Sequence, residues 1–325
     1  MLYPLKFKSR FKERIWGGRK LEKSLGKKLP KEKMIGESWE LSGVPKDFSV
    51  VANGILAGNN IQELVEVYMG DLVGERVFEE FGEEFPLLVK FLDVSDILSI
   101  QVHPDNRLAA ERHNAYGKTE MWYVMDAGRD AFLYLGLKEG ITREDYLKHL
   151  EAGTLVNILN RVSVKPGEAY FIPAGTIHAI GKGVMVVEIQ QTSDITYRVF
   201  DWNRLDKKGK RRELHTELAL DAINFEDHPE YNITVIPEKN KRVEMGECLY
   251  FSTGIIQVDG VVEREYVSLD SFVIYVCLEG ELTVVWDKGK ESLKRGETML
   301  IPAQLTGVEL CGSGKLIEVY MPEKR

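Results

Sequence analysis

Short stretches of apolar or alternating residues recur along most of the chain, and glycine or proline residues separate them. The segment 98–103 alternates apolar and polar residues, which is the period of a strand with one buried face. Further segments with the character and length of strands are 85–92, 120–125, 169–172, 184–189, 272–276 and 282–286. Many short strands joined by turns predict a mainly β fold, built as a sandwich or a barrel.

Four segments with the spacing of amphipathic helices interrupt the strands. The longest, residues 60–81, places apolar side chains three and four positions apart, as one helix face requires. Residues 142–150 are predicted to form a helix with a capped start at Thr142. Residues 104–113, with Pro104 in the first turn, and residues 213–223 are the other predicted helices.

An internal repeat divides the chain into two related parts. Residues 165–174 and 294–303 both read Lys-x-Gly-Glu-x-x-x-Ile-Pro-Ala, and the two copies are offset by 129 residues. Each copy combines a turn, a strand and a proline that ends strand pairing. We therefore predict two related β-barrels, with helical insertions in or after the first. Residues 1–238 are expected to form an N-terminal catalytic domain and residues 239–325 a degenerate C-terminal domain.

The first copy of the repeat continues to a histidine that the second copy lacks. His178 ends the pattern Gly-x5-Pro-x-Gly-x2-His, whereas Gly307 occupies the corresponding place in the second copy. A lone histidine is most often structural, but polar residues at strand spacing favour a functional role here. Gln101 and His103 lie two residues apart on a predicted strand and therefore share one face.

Lys118 and Glu120 form a second pair with the same spacing, so both point inward if one does. Gln101, His103, Glu120 and His178 together offer nitrogen and oxygen ligands for a divalent metal. Two imidazoles and one carboxylate suit zinc, and the neutral amide oxygen of a glutamine leaves the ion strongly Lewis-acidic. We expect one Zn²⁺ per chain in the N-terminal barrel and none in the C-terminal barrel.

Charge and cysteine content narrow the class of protein. The chain has 325 residues and a net charge of −8, which argues against a nucleic-acid or acidic-membrane partner. An anionic substrate would therefore need a local cationic site. Three cysteines without a C-x-x-C pair, and no apolar leader or membrane-length segment, favour a cytoplasmic protein with reduced thiols.

The motifs then point to a known family. The stretch ending at His178 resembles the second conserved motif of the cupin superfamily. The chain contains, in this order, the motifs Gln-x-His-Pro (101–104), Lys-x-Glu (118–120) and Pro-Ala-Gly-x-x-His (173–178). With these motifs it resembles the type I phosphomannose isomerases in their shorter, two-cupin form. Residues 16–18, 36–40, 193–198 and 212–215 support this resemblance, which runs from about Phe7 to about Leu220 and weakens in the second barrel.

The resemblance implies an isomerase of sugar phosphates and assigns its site residues. Gln101, His103, Glu120 and His178 match the zinc ligands of the family, and Lys118 matches the lysine two residues before its glutamate ligand. Asp194 and Arg198 match an aspartate and an arginine in or beside the active site. Longer relatives carry a histidine directly before the lysine, but this chain has Gly117 there, so a histidine base at that position is excluded.

The implied reaction interconverts mannose 6-phosphate and fructose 6-phosphate through an enediol. A nearby dication would lower the pKa of Lys118, which makes Lys118 a candidate base, with Asp194 as its rival. Arg198 suits the enediol or the phosphate, although an ion pair with Asp194 is the alternative. Trp16 either lines the pocket or lies in the core. The basic run 207–212 is expected to be a solvated loop.

Two alternatives remain at the level of the sequence. His103, Glu120 and His178 also form the two-histidine, one-carboxylate set of iron(II) oxygenases. A non-catalytic cupin that binds sugar phosphates is the second alternative. Gln101 and an inward Lys118 favour the isomerase. The chain is expected to be a monomer or a homodimer.

Overall fold

The computed structural model describes residues 2–206, 208–226 and 229–323. The strands are β1 (Leu5–Lys6), β2 (Arg10–Gly18), β3 (Ile35–Ser42), β4 (Leu87–Val94), β5 (Ile100–Val102), β6 (Glu120–Ala127), β7 (Phe132–Leu137), β8 (Leu159–Ser163), β9 (Ala169–Ile172), β10 (His178–Ile180), β11 (Val184–Gln191), β12 (Tyr197–Phe200), β13 (Asn232–Ile233), β14 (Arg242–Glu247), β15 (Ser252–Glu265), β16 (Val273–Trp286), β17 (Gly289–Lys294), β18 (Thr298–Ile301) and β19 (Gly307–Tyr320). The helices are α1 (Lys20–Leu25), α2 (Ile61–Val73), α3 (Glu75–Phe81), α4 (Asn106–His113), α5 (Arg143–Glu151) and α6 (Thr216–Ala222), with a 3-10 turn at Leu155–Ile158. The predicted mainly β class is confirmed.

Two antiparallel sheets make up the N-terminal half. One has the order β13-β9-β6-β11-β4-β3-β2, and the other has the order β12-β5-β10-β7-β8. An apolar core between the sheets contains Leu92, Trp122 and Val186 from the first sheet and Leu133 and Ile180 from the second. The site strands β5, β6, β10, β11 and β12 therefore meet around one interior.

The C-terminal strands form a third antiparallel sheet, in the order β1-β18-β16-β19-β15-β14 with β17 paired to β16. Its edge strand β1 comes from the start of the chain, where Leu5 pairs with Leu300. Alternate residues of β4 and β11, such as Phe91 and Val187, point away from the first core and pack with this sheet. A strand buried on both faces explains why these segments read as continuous apolar runs. The division at residues 238 and 239 stays a prediction.

The repeat is preserved in the hydrogen bonds. In the first copy, Gly167 has φ +94° and its N–H donates to Val124 O at 2.8 Å. In the second copy, Gly296 has φ +82° and its N–H donates to Cys277 O at 2.9 Å. This positive φ explains the glycine in each copy. In both turns the glutamate carboxylate accepts from the backbone N–H of the lysine that begins the motif, each at 2.9 Å.

The predicted helical segments form helices, and the helix ends differ from the predicted ones by at most three residues. The segment 60–81 divides into α2 and α3 at Gly74, which has φ +96°. Thr142 caps α5 as predicted, since its side chain accepts from Asp145 N and the Asp145 carboxylate accepts from Thr142 N. The helix predicted at 104–113 begins only after its N-cap, Asp105. No helix in the described ranges is long and apolar enough to cross a membrane.

The C-terminal sheet corrects one of the strand predictions. Residues 272–276 and 282–286 were expected to form two strands, but β16 runs through both without a break in its pairing to β19. A bulge between Cys277 and Glu279, followed by Gly280 at φ +76°, bends the strand instead of ending it. A glycine in a predicted strand can therefore mark a bend rather than a boundary.

Leu300 is fully buried between the C-terminal sheet and the N-terminal half. Leu300→Ala is expected to lower the free energy of unfolding by about 2–5 kcal/mol, because it removes buried apolar contacts and leaves a cavity. Urea unfolding followed by circular dichroism measures the change. Val267→Ala, at a position that is 79 % exposed, is the matched control and should change stability little. Equal stabilities of the two variants would contradict this assignment of the core.

Candidate metal centre and active site

Neighbouring strands bring the sequence-predicted ligands together. Gln101 on β5 lies directly opposite His178, the first residue of β10. Side chains at opposite positions of an antiparallel pair share one face, so both point into the interior. His103 follows the end of β5, and Glu120 begins β6 on the facing sheet. Residues 75 positions apart along the chain, from 103 to 178, therefore meet at one end of the sandwich.

His103, Glu120 and His178 form a compact buried group. Their ligand atoms all lie within 4.8 Å of one another, and no side chain of the three is more than 2 % exposed. His103 Nε2 lies 3.4 Å from Glu120 Oε1, and His178 Nε2 lies 3.7 Å from Glu120 Oε2. The amide nitrogen of Gln101 lies 3.3 Å from His178 Nε2, so a half-turn of the amide would direct its oxygen to the same space.

The hydrogen bonds around the group prepare it for a cation. His103 Nδ1 donates to Ile195 O at 2.8 Å, and His178 Nδ1 donates to Thr176 O at 2.9 Å. These bonds leave the Nε2 lone pair of each ring facing the centre, as second partners of metal-ligating histidines do. Glu120 Oε2 is buried without a hydrogen-bond partner in the described residues. A buried carboxylate oxygen without a donor, beside two imidazole lone pairs, fits a divalent metal ion.

Burial sets the protonation of the imidazoles. It lowers the pKa of His178 to about 4, because the uncharged ring is favoured away from water. Burial and the adjacent charge of Lys118 lower the pKa of His103 well below its usual value. Burial alone would raise the pKa of Glu120, but Lys118 leaves that pKa below its usual value. At neutral pH the group thus consists of two neutral rings and a carboxylate, the form that binds metals.

Lys118 points inward, as strand spacing predicted, and is only 4 % exposed. Its Nζ bonds the Glu120 carboxylate and lies 3.2 Å from His103 Nε2 and 3.4 Å from Glu188 Oε1. Burial lowers the pKa of Lys118, but Glu120 and Glu188 outweigh burial and leave the pKa raised. A divalent cation on Glu120 would oppose that shift, because it repels the ammonium form.

Sequence reasoning missed two charged residues of this interior. Glu188 on β11 lies opposite Lys90 on β4, and Lys90 Nζ is 3.1 Å from Glu188 Oε2. Both side chains are buried, and Glu188 also contacts Lys118. Burial and the adjacent Glu120 raise the pKa of Glu188. The sequence did carry a signal for this pair, because each of the two apolar strands has a charged residue in its middle. Such a residue is almost never buried unless it is paired.

A cavity of about 480 Å³ opens beside the group, and the remaining sequence-predicted site residues line it: Trp16, Gln101, Lys118, Asp194 and Arg198. Trp16 is 4 % exposed and belongs to the core between the sheets as well, so both of its expected roles hold. Asp194 is exposed, and within the described residues it forms no ion pair with Arg198. Arg198 Nη1 donates to Glu213 O at 2.8 Å.

The basic run 207–212 is only partly the solvated loop that was expected. Lys207 lies outside the described residues, and Lys208, Lys210 and Arg211 are exposed. Arg212 departs from the expectation, because it lines the cavity and its Nε donates to Asp201 Oδ2 at 2.7 Å. The sequence of a basic run does not indicate which of its side chains points inward.

An antiparallel sandwich with a buried two-histidine, one-carboxylate centre, followed by a second domain that repeats one of its motifs, defines a metal-binding cupin protein. Comparisons with known proteins identify the family. Residues 4–126 match the catalytic domain of type I phosphomannose isomerases, and residues 242–321 match the cupin domain of mannose-6-phosphate isomerases.

The similarity to characterised relatives extends over nearly the whole chain. The chain is 37 % identical over 325 residues to mannose-6-phosphate isomerase ManA of Bacillus subtilis, covering 98 % of this chain and 99 % of that protein. It is 33 % identical over 324 residues to mannose-6-phosphate isomerase of Streptococcus mutans, covering 99 % and 100 %. A crystal structure of mannose 6-phosphate isomerase from Bacillus subtilis superposes with a TM-score of 0.87 at 33 % identity, covering 98 % of this chain and 99 % of that one. The chain belongs to the type I phosphomannose isomerase family.

His178→Ala is expected to lower the metal content from one divalent ion per chain toward zero, because the ring supplies one of the few ligands. Elemental analysis of the purified protein measures the content. His149→Ala is the matched control, since His149 lies on α5 outside the group, where it bonds Thr154, and its loss should spare the metal. Full metal retention in His178→Ala would contradict the ligand assignment.

Proposed function

We propose that this chain interconverts D-mannose 6-phosphate and D-fructose 6-phosphate at the buried centre, with zinc as its metal. The activity follows from membership in the family, and the same membership favours the isomerase over the iron oxygenase and the non-catalytic cupin. The observation that carries the assignment to this site is the meeting of His103, Glu120, His178 and Lys118 beside a cavity large enough for a small molecule.

Gln101, His103, Glu120 and His178 are the proposed ligands of the ion. A bound divalent ion supplies a Lewis acid that stabilises negative charge on the sugar oxygens as the enediol forms. Zinc suits nitrogen ligands together with a carboxylate and an amide oxygen. The two imidazoles and the carboxylate of this group are buried, which shields the position from bulk water.

Aldose–ketose isomerisation moves one proton between C1 and C2 and another between the attached oxygens. We assign the proton transfer to Lys118, which reaches the cavity from the edge of the metal group. Glu188 accepts from Lys118 and forms an ion pair with Lys90, so it holds the Lys118 amine toward the centre. Asp194, at the exposed mouth of the same cavity, is the alternative base.

Arg198 and Trp16 are the proposed substrate-binding residues at the cavity wall. Arg198 keeps its charge and offers a planar set of donors for an anion, and Trp16 supplies an apolar face. We also propose that the enzyme works in the cytoplasm, where its three unpaired cysteines stay reduced. A monomeric or homodimeric state stays a prediction.

Purified protein is expected to convert mannose 6-phosphate to fructose 6-phosphate and to lose this activity in a chelator, because the ligands alone cannot stabilise the enediol. Zinc added after the chelator is removed should restore the rate. A coupled spectrophotometric assay measures turnover. Stoichiometric iron with oxygen uptake, or turnover that survives complete metal removal, would contradict the proposal.

Lys118→Ala is expected to retain the metal and to lower kcat by about 10²–10⁴, the loss typical of a missing acid–base group. Steady-state kinetics with parallel metal analysis measure both quantities. Lys182→Ala, an exposed lysine near the same strands, is the control and should behave as the wild type. Asp194→Asn is the companion variant. A large loss of turnover in Asp194→Asn, together with near-normal turnover in Lys118→Ala, would assign the role of the base to Asp194 instead.

A further inference from the structure

Lys118 lies in a short connecting segment, residues 117–119, between α4 and β6. The strand pairing of β6 begins only at Glu120, which lies opposite Gln190 of β11. A side chain just before a strand is not aimed by the strand ladder alone. The direction of Lys118 therefore depends on the contacts that hold the backbone of this segment.

Asn106, the first residue of α4, contacts the segment through its side-chain amide. Its Oδ1 accepts from Gly117 N at 2.8 Å and from Gln191 Nε2 at 2.9 Å. Its Nδ2 donates to the hydroxyl of Tyr250, in the C-terminal half of the chain, at 3.3 Å. The backbone N–H of Gly117 fixes which end of the Asn106 amide faces the segment, because that donor needs an oxygen as its partner.

Gln191, the last residue of β11, holds the other side of the segment. Its side chain is buried, and its Oε1 accepts from Thr119 N at 3.0 Å. With the oxygen used in that way, the amide nitrogen of Gln191 is the end that donates to Asn106. The backbone N–H groups on both sides of Lys118 are therefore bonded by one connected pair of amide side chains.

Close packing against the start of α4 complements these bonds. Lys118 N donates to Pro104 O at 3.1 Å, so all three backbone N–H groups of the segment have partners. A Cβ on Gly117 would lie 2.6 Å from Asn106 N, which means that only glycine lets the backbone come this near to the helix. The glycine directly before Lys118 is thus explained by the approach of Asn106.

We propose that Asn106 and Gln191 are positioning residues that together fix the direction of Lys118 toward the metal group. This inference rests on the proposed function, in which Lys118 transfers the proton. The described residues that line the cavity include neither of the two amides, so both act on the reaction only through the backbone around Lys118. A displacement of about 1 Å caused by a change outside the reacting centre can lower a rate about 100-fold, which is why such contacts matter.

The first test is Asn106→Ala, which removes the oxygen that both Gly117 and Gln191 use. It is expected to lower kcat for mannose 6-phosphate about 10- to 100-fold with KM nearly unchanged, while the metal content stays at one ion per chain. Asn106→Asp keeps an oxygen at the same place and should retain most of the wild-type kcat.

Arg107→Ala is the matched control, since the next side chain of α4 is exposed and pairs with Glu111. It should leave kcat and KM at wild-type levels. Steady-state kinetics, metal analysis and the thermal midpoint are measured for each variant. Wild-type kcat in Asn106→Ala, or a loss of kcat that follows a loss of metal, would overturn the inference.

Hydrogen exchange of backbone amides, measured by nuclear magnetic resonance on the metal-loaded protein, separates this inference from the proposed function. The Gly117 amide should exchange faster in Asn106→Ala than in the wild type, because its acceptor is lost, and Asn106→Asp should restore the slower rate. Faster exchange in a protein without isomerase activity would support the hold on the segment and refute the function. Unchanged exchange in an active enzyme would overturn the positioning role and leave the function standing.

Discussion

The active end of this molecule depends on compensating charges that are buried together. Lys118, Glu120, Glu188 and Lys90 are each at most 7 % exposed, and each carboxylate contacts a lysine. An isolated buried charge would cost several kcal/mol, so removing one member leaves its partner uncompensated. The alternation of lysine and glutamate lets the fold bury a carboxylate beside two neutral imidazoles. That arrangement sets the position of the metal-ligand group and the direction of Lys118 toward the cavity.

Corresponding glutamates in the two halves of the chain have different surroundings. By strand register, Glu318 in the C-terminal sheet corresponds to Glu188 in the first sandwich. Arg264 holds Glu318 with two hydrogen bonds of 3.0 and 2.8 Å, and Arg242 Nε lies 2.9 Å away. Gly254 takes the place of Lys90, and a Cβ there would lie 2.5 Å from the Arg242 guanidinium. Two arginine side chains of the C-terminal sheet therefore occupy the space beside Glu318.

The two halves also differ in the ligands that they offer to a metal ion. Among the described residues only His103, Glu120 and His178 form a group of metal-ligand type. The C-terminal sheet instead contributes apolar surface to a core shared with β4, β6 and β11. Those strands are buried on both faces, which fixes the register that carries Glu188 and Lys90. The C-terminal domain is expected to be structural, because Gly307 stands where the first domain has His178.

The sequence by itself predicted the mainly β class, several of the strands and helices, and the residue types of the metal-ligand group. Period-two spacing predicted that Gln101 and His103, and also Lys118 and Glu120, share a face, because side-chain direction on a strand is a local property. The repeat predicted two related halves because its turns need the same glycine and glutamate. Only the tertiary structure decided which strands lie opposite one another, and with it the Glu188–Lys90 pair and the inward turn of Arg212. Contacts between distant segments depend on register and loop geometry, which no local pattern encodes.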